Sequence, residues 1–320
     1  MPVTPADAAE VAATTETTET TETTRWRELV LLVVLAVIWS ASFTFIKVAV
    51  ATVPPVTVTA GRMITAAVVM VLFARLAGHR LPWDRRSWTV FAMVGLLGSV
   101  LPFSLIHFGE TEIDSGLAAI LMGIMPATTA VLAHLFTPDD RLTRRRVAGV
   151  AVGFAGLIGL VGFDALRGMG GAALAELAVL GGAVSYAVAA VYTRRAARQP
   201  GPVMAAGATV SGTLMVIPLA FVLERPMAVQ PSGEALLSIA FLGVLGTGFA
   251  TLLYFRLVRT LGPTVFSQVN FMIPILGVVW GTVFLHERLD MRAAVAMACI
   301  LAGIWLVTRS GGRTAAAKPD

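Results

Sequence analysis

Lys47 and Arg62 are basic side chains inside long apolar stretches, where a charged group is expensive and is a functional candidate by default. Trp39, Phe43 and Lys47 recur at i, i+4 and i+8, so they share one face of a helix. This face would offer aromatic surface and a cation to a carboxylate or a phosphate. The alternative is structural, because both basic side chains are long enough to extend from near a helix end to lipid headgroups.

A second group combines polar side chains with a proline inside an apolar segment. Ser267, Asn270 and Pro274 share a helix face, and Pro126 takes the matching place in an earlier segment. A proline leaves the carbonyl four residues back without its helical partner, and interrupted helices at matching positions point to a binding site. We predict Ser267 and Asn270 as substrate contacts and Pro126 and Pro274 as hinges at helix breaks. The alternative is a kinked packing helix in which Asn270 bonds a neighbouring helix.

Composition indicates which elements position these residues. Hydrophobic residues make up 57% of the 320 and charged residues 13%, against about 25% charged in soluble domains. The mean hydropathy is +0.81, so the lipid bilayer is the expected surrounding. Basic residues form short clusters between apolar blocks, which disfavours a nucleic-acid partner. The single Cys299 excludes a disulfide within the chain and a cysteine metal site.

Ten segments have the roughly 20 mainly apolar residues that a spanning helix needs. Proline and glycine separate them, and the alternating pattern of a membrane β-barrel is absent. The sequence therefore predicts an all-α integral membrane protein with ten transmembrane helices. The segments are 29–51, 57–77, 87–109, 115–136, 147–163, 174–193, 203–223, 235–257, 265–285 and 291–308.

The distribution of basic residues predicts the orientation. With a cytoplasmic N-terminus, 18 of the 24 Lys and Arg fall in inside segments and four fall outside. We therefore expect a multi-pass protein of the cell membrane with both termini cytoplasmic. Residues 1–28 contain a Thr/Glu repeat with almost nothing to bury and are predicted as a disordered cytoplasmic tail. Residues 309–320 form the second cytoplasmic tail.

The chain resembles itself at a shift of about 147–148 residues. Gly95–Gly98 returns as Gly243–Gly246, and Pro126 returns as Pro274. Five helices in each half, an odd number, place the second half upside down relative to the first. The sequence thus predicts two inverted five-helix repeats, at 29–163 and 174–308.

Other titratable residues are few. His107 lies three residues after Ser104, and the repeat places Tyr254 near them, so Tyr254 joins the predicted substrate contacts. His107 is a candidate proton relay, with an interfacial histidine as the alternative. Glu110 and Glu176 lie near helix ends rather than at their middles. We identify no catalytic residue, metal site or cofactor.

Several stretches along the chain follow a known family in order and spacing. They are Trp39–Phe43 with Lys47, Ala60–Arg62, Gly116–Pro126, Asp140–Thr143, Gly243–Tyr254 and Pro274–Leu289. Together they resemble the drug/metabolite transporter superfamily, specifically proteins with two EamA domains. The resemblance covers about residues 28–308 and implies ten helices, cytoplasmic termini and export of amino acids, their derivatives or other metabolites. Asp140 stands where the family more often has Glu, and Tyr186 where Trp is common.

The expected function is a secondary transporter of small solutes by alternating access, and the expected activity is export of amino acids or related metabolites. Small multidrug exporters depend on a glutamate in the first helix, which this chain lacks, so neutral, zwitterionic or anionic solutes are favoured over cations. The alternatives are a non-transporting membrane scaffold or a membrane-embedded enzyme acting on lipid-linked substrates. We expect no enzyme activity, and the oligomeric state stays open, with a monomer plausible.

Overall fold

The computed structural model describes residues 5–137, 142–166 and 170–308, and all regular structure within these ranges is helical. The chain kinks at Gly262, whose φ of 75° lies in the positive range that favours glycine. The helices are α1 Pro5–Val50, α2 Pro55–Leu76, α3 Arg85–Glu112, α4 Ser115–Phe136, α5 Arg144–Leu166, α6 Gly170–Ala196, α7 Gly201–Glu224, α8 Gly233–Gly262, α9 Val269–Leu285 and α10 Met291–Thr308.

Eight helices in the described part of the chain are long and apolar enough to cross a membrane. For α1 the qualifying stretch begins at Trp26. Helix α9 is apolar but shorter, with 17 residues, and α5 begins with three arginines. The predicted all-helical membrane architecture is therefore confirmed.

The structure continues the helical backbone of α1 back to Pro5, through the Thr/Glu repeat where the sequence predicts disorder. The repeat supplies no apolar face, so nothing in its composition ties it to the bundle. The tail at 309–320 and the Asp140-Arg141 pair lie outside the described residues.

The two halves pack through glycines at matching positions. Gly95 of α3 lies against the backbone of α7, where an added Cβ would meet the Ala208 carbonyl oxygen and the Gly212 nitrogen. Gly243 of α8 lies against α2 in the same way, where a Cβ would meet Thr65 Oγ1. Only glycine allows helix axes to approach this closely. Each half thus packs its own glycine into the other half.

Both helices change winding just after these glycines. Residues Leu96–Val100 of α3 and Val244–Phe249 of α8 are π-helical. The two segments begin 148 residues apart, which is the repeat shift. A π-turn inserts one residue into a helix and frequently occurs at functional sites.

The two prolines behave differently. Helix α4 is interrupted at Gly123, just before Pro126, and the amide of Gly123 bonds the Ile120 carbonyl at 3.0 Å, three residues back. Pro274 lies inside α9 without a break there. The tight turns in the second half come earlier, around Ser267, whose carbonyl accepts the Asn270 amide at 3.1 Å. The hinge role of both prolines stays a prediction.

Candidate functional site

Arg62 is buried in the bundle, with 6% of its surface exposed. Its Nε donates to Thr247 Oγ1 at 2.9 Å, and its guanidinium carbon lies 3.7 Å from the centre of the Phe103 ring. No hydrogen-bond or ion-pair partner of its terminal Nη atoms is found within the described ranges. Arg62 is therefore a buried cation that is held at its Nε, and its Nη atoms have no partner among the residues the structure describes.

The surroundings of Arg62 come from both halves of the chain. Phe103 on α3 belongs to the first half, whereas Thr247 on α8 belongs to the second. Tyr186 of α6 packs edge-on to Phe103, with ring centres 6.3 Å apart. Thr247 lies in the π-helical segment of α8, and its hydroxyl donates to the Leu242 carbonyl at 3.0 Å, five residues back. The irregular winding thus places the oxygen that receives Arg62.

His107 is fully buried rather than interfacial. Its ring stacks on Phe103 with centroids 6.2 Å apart. Its Nδ1 lies 2.9 Å from Thr59 Oγ1 and 3.3 Å from the Pro55 carbonyl oxygen. Ser104 donates to Thr59 Oγ1 at 3.3 Å. His107 therefore packs against the same Phe103 ring that lies next to the Arg62 guanidinium.

A second group of predicted residues meets on the side where α8 ends. Trp39 of α1 lies 6.4 Å from Tyr254 and 6.3 Å from Phe266, measured between ring centroids. Tyr254 and Phe266 are themselves 5.1 Å apart. Ser267 and Asn270 follow directly on the chain, and both are half-buried. Trp39, Tyr254 and Phe266 therefore form an aromatic triad to which both halves contribute. The two predicted polar residues lie one and four residues after Phe266 in the sequence.

Phe43 and Lys47 are placed elsewhere. Phe43 is buried in the main core and comes within 4.0 Å of a Cβ built on Gly277 of α9. The Lys47 ammonium donates to the carbonyls of Glu110 and Ile113, at 2.9 and 2.8 Å. These carbonyls belong to the last turn of α3 and to the residue directly after it, where a cation is favourable. Lys47 thus caps a helix, an arrangement that neither alternative from the sequence included.

Two acidic side chains of the second half cap helices of the first. Glu287 accepts the amides of Ser115 and Gly116 at the start of α4, at 2.8 and 2.9 Å. Glu224 accepts the amides of Val56 and Thr57 at the start of α2, at 2.9 and 2.7 Å. Helix N-termini attract carboxylates. These bonds join the halves at one end of the bundle.

Asp114 precedes α4 beside this cap. Its partial burial, and then the neighbouring Glu287 carboxylate, raise the pKa of Asp114 above its ordinary value. The Lys47 ammonium works in the opposite direction. The same end of the bundle thus holds two mutually repelling carboxyl groups next to one cation.

Sequence reasoning missed Phe103, Thr247 and the two capping glutamates. The matched glycines mark the position of Thr247, because the π-helical segments follow them directly. Glu287 corresponds to Asp140 at the repeat shift of 147, so both halves carry an acidic residue at this position, but the correspondence does not reveal the partner of Glu287.

Comparisons with known proteins agree with this architecture. The chain is 26% identical over 275 residues to the uncharacterized inner membrane transporter YedA of Escherichia coli (strain K12), which covers 86% of this chain and 88% of that protein. It is 26% identical over 292 residues to a probable terminal-alkyne amino-acid exporter of Streptantibioticus cattleyicolor, covering 90% and 96%. A crystal structure of a protein with 23% identity superimposes with a TM-score of 0.64, over 90% of this chain and 99% of the other, and shows the same fold.

The model of the EamA-like transporter family matches residues 26–162 and 173–309. These two matches take in all the groups described above, and this multi-pass membrane chain belongs to the EamA-like transporter family.

Proposed function

We propose that this chain is a secondary transporter that moves small zwitterionic or anionic solutes by alternating access and exports amino acids or related metabolites. In this proposal ten helices cross the membrane as two inverted five-helix repeats, with both termini in the cytoplasm. The protein moves its solute without changing it chemically.

The observation that carries this proposal is the buried Arg62 at the junction of the two repeats. A cation inside a membrane protein is costly unless it has a partner or a task. Phe103 covers one face of the guanidinium and Thr247 holds its Nε. The Nη edge is the part that binds a carboxylate through two parallel hydrogen bonds. Arg62 is therefore prepared for the carboxylate of a solute.

The other predicted residues offer groups that suit the side chain and the ammonium group of an amino acid. The aromatic triad of Trp39, Tyr254 and Phe266 offers apolar surface for a side chain and π-faces for an ammonium group. Asn270 can both donate and accept hydrogen bonds. We propose that the solute contacts these groups in succession as it moves between the two sides.

Alternating access requires contacts that break when one side opens. The bonds from Glu287 to the start of α4 and from Glu224 to the start of α2 join the two repeats at a single end. At the opposite end Arg256 of α8 pairs with Glu28 of α1 at 2.6 Å. We propose that these end contacts open in alternation, while the glycine contacts between the repeats act as pivots.

The substrate class is supported by one relative, which is named as a probable terminal-alkyne amino-acid exporter. That relative and this chain are alike over nearly their whole lengths. Export of amino acids is therefore the first activity to test.

The test is solute flux in proteoliposomes with a panel of labelled amino acids, organic anions and aromatic cations. Wild type is compared with Arg62→Gln, Asn270→Ala and Lys47→Ala, after gel filtration has shown that each variant is folded. We expect a zwitterion or an anion to move and Arg62→Gln and Asn270→Ala to suppress it. Lys47→Ala is expected to lower the amount of folded protein more than the flux per folded molecule, because Lys47 caps α3. Movement of cations alone would refute the charge argument, and no movement at all would favour the scaffold.

A further inference from the structure

Glu110 is a carboxyl group that the proposed transport function does not use. It lies in the last turn of α3, and none of its surface is exposed. Neither of its carboxyl oxygens has a hydrogen-bond partner among the residues the structure describes. Its exposed neighbour Glu112, two residues later on the same helix, faces outward.

Burial of an ionised carboxylate without hydrogen bonds is costly, more so than burial of an unpaired neutral polar group. The Lys47 ammonium does not offset this cost with a hydrogen bond to the carboxyl group, because it donates instead to backbone carbonyls, including that of Glu110 itself. A carboxyl group in this position avoids the cost by binding a proton. The conformation described here is therefore one in which Glu110 is neutral.

Charged and titratable groups lie around Glu110 on several elements. Lys47 and Arg62 are cations, whereas Glu287 carries a carboxyl group. Glu176 is buried on α6, which packs along α3. The groups on the surrounding elements are Lys47 on α1, Arg62 on α2, His107 and Glu112 on α3, Asp114 before α4, Glu176 on α6 and Glu287 after α9.

We propose that Glu110 is a proton-binding site that is loaded in this conformation and emptied once in each transport cycle, so that solute movement is coupled to protons. This inference rests on the proposed transport function. When this end of the bundle opens, water reaches Glu110. The O–H bond of Glu110 then breaks, the proton passes to water, and the electron pair stays on the carboxylate, which accepts hydrogen bonds from water.

The first measurement needs no solute. Infrared difference spectra of reconstituted protein at neutral pH compare wild type with Glu110→Gln and with Glu112→Gln as a matched control at the same helix end. We expect the carbonyl stretch of a protonated carboxylic acid in wild type and Glu112→Gln, and its loss in Glu110→Gln. An unchanged band in Glu110→Gln overturns the proposal.

The second measurement follows protons during transport. Vesicles loaded with a pH-sensitive dye receive an equimolar mixture of the common L-amino acids, and exchange of labelled against unlabelled amino acid is recorded in parallel. We expect Glu110→Gln to keep exchange while its proton signal falls to that of protein-free vesicles, and Glu110→Asp to keep both. A proton signal that Glu110→Gln leaves intact overturns the coupling. If wild type exchanges no amino acid, the substrate proposal fails, and the infrared band still decides whether Glu110 holds a proton.

Discussion

Replacing Arg62 by glutamine is the most direct perturbation of the candidate site. The substitution removes the charge and the two free Nη groups, and it keeps a side chain of moderate length in the space between Phe103 and Thr247. Hydrogen bonds to charged groups contribute about 1.5–3 kcal/mol each. Loss of two such bonds to a solute carboxylate amounts to about 3–6 kcal/mol.

This loss predicts a clear change in transport kinetics. Since about 1.4 kcal/mol corresponds to a tenfold change in affinity, Arg62→Gln is expected to raise the half-saturating solute concentration by about 10²- to 10⁴-fold. Arg62→Lys keeps the charge and about one bond, so its increase is expected to be about 10- to 10²-fold. The assay is the concentration dependence of initial flux into proteoliposomes.

Arg75→Gln is the matched control, because Arg75 is exposed at the other end of the same helix. Its half-saturating concentration is expected to equal that of wild type. If folded Arg62→Gln and Arg75→Gln transport alike, then Arg62 does not bind the solute and the proposed site is wrong.

Three further substitutions test the contacts around the site. Thr247→Val removes the hydroxyl that receives Arg62 Nε, and we expect about a fivefold rise in half-saturation from the loss of about 1 kcal/mol. Gly243→Ala forces a Cβ against α2 and is expected to lower the midpoint of thermal unfolding, with about 1–3 kcal/mol of overpacking. Glu287→Gln weakens the cap of α4 by about 0.5–2 kcal/mol, which a lower melting temperature would report. The same change removes one cause of the raised pKa of Asp114, so a carboxyl titration followed by NMR should show that pKa falling toward its ordinary value.

Each of these predictions has an outcome that would contradict it. Thr247→Ser keeps the hydroxyl and should transport like wild type, so equal defects in Thr247→Ser and Thr247→Val would assign the effect to packing. Gly233→Ala adds a Cβ into open space, and a melting temperature as low as that of Gly243→Ala would remove the close-packing explanation. An unchanged Asp114 titration in Glu287→Gln would show that burial alone raises its pKa.

The helices could be predicted from the sequence because the bilayer imposes one length on every span. The segments 115–136 and 291–308 coincide with α4 and α10 to the residue. The tail predicted at residues 1–28 shows the limit of this approach. Its Thr/Glu repeat has no apolar face, so no pattern in the sequence indicates whether its backbone is helical. The family was also predictable, because its motifs recur in order in both halves.

The partners of the site residues could not be predicted, because they depend on contacts between distant parts of the chain. Lys47 was singled out as a basic residue inside an apolar segment and is half-buried, but its carbonyl partners lie 63 and 66 residues away at a helix end. Arg62 meets a hydroxyl 185 residues away. That hydroxyl is placed by a π-helical turn. The sign of this turn in the sequence is the matched pair of glycines, Gly95 and Gly243, that precede the π-helical segments.

The repeat is symmetric in its backbone and asymmetric in its chemistry. Gly95 and Gly243 make equivalent contacts, and both precede π-helical segments. At the repeat shift of 147, however, Arg62 corresponds to Thr209, whose hydroxyl donates to the Ala205 carbonyl of its own helix at 2.7 Å. The charged group of a solute would therefore be held in one repeat only, while the pivots are shared by both. Binding and motion should then be separable by mutation: substitutions of the Arg62 side chain should change the half-saturating concentration, and substitutions of either glycine should change the maximal rate. Equal effects of the two kinds on both quantities would show that a single element serves both tasks.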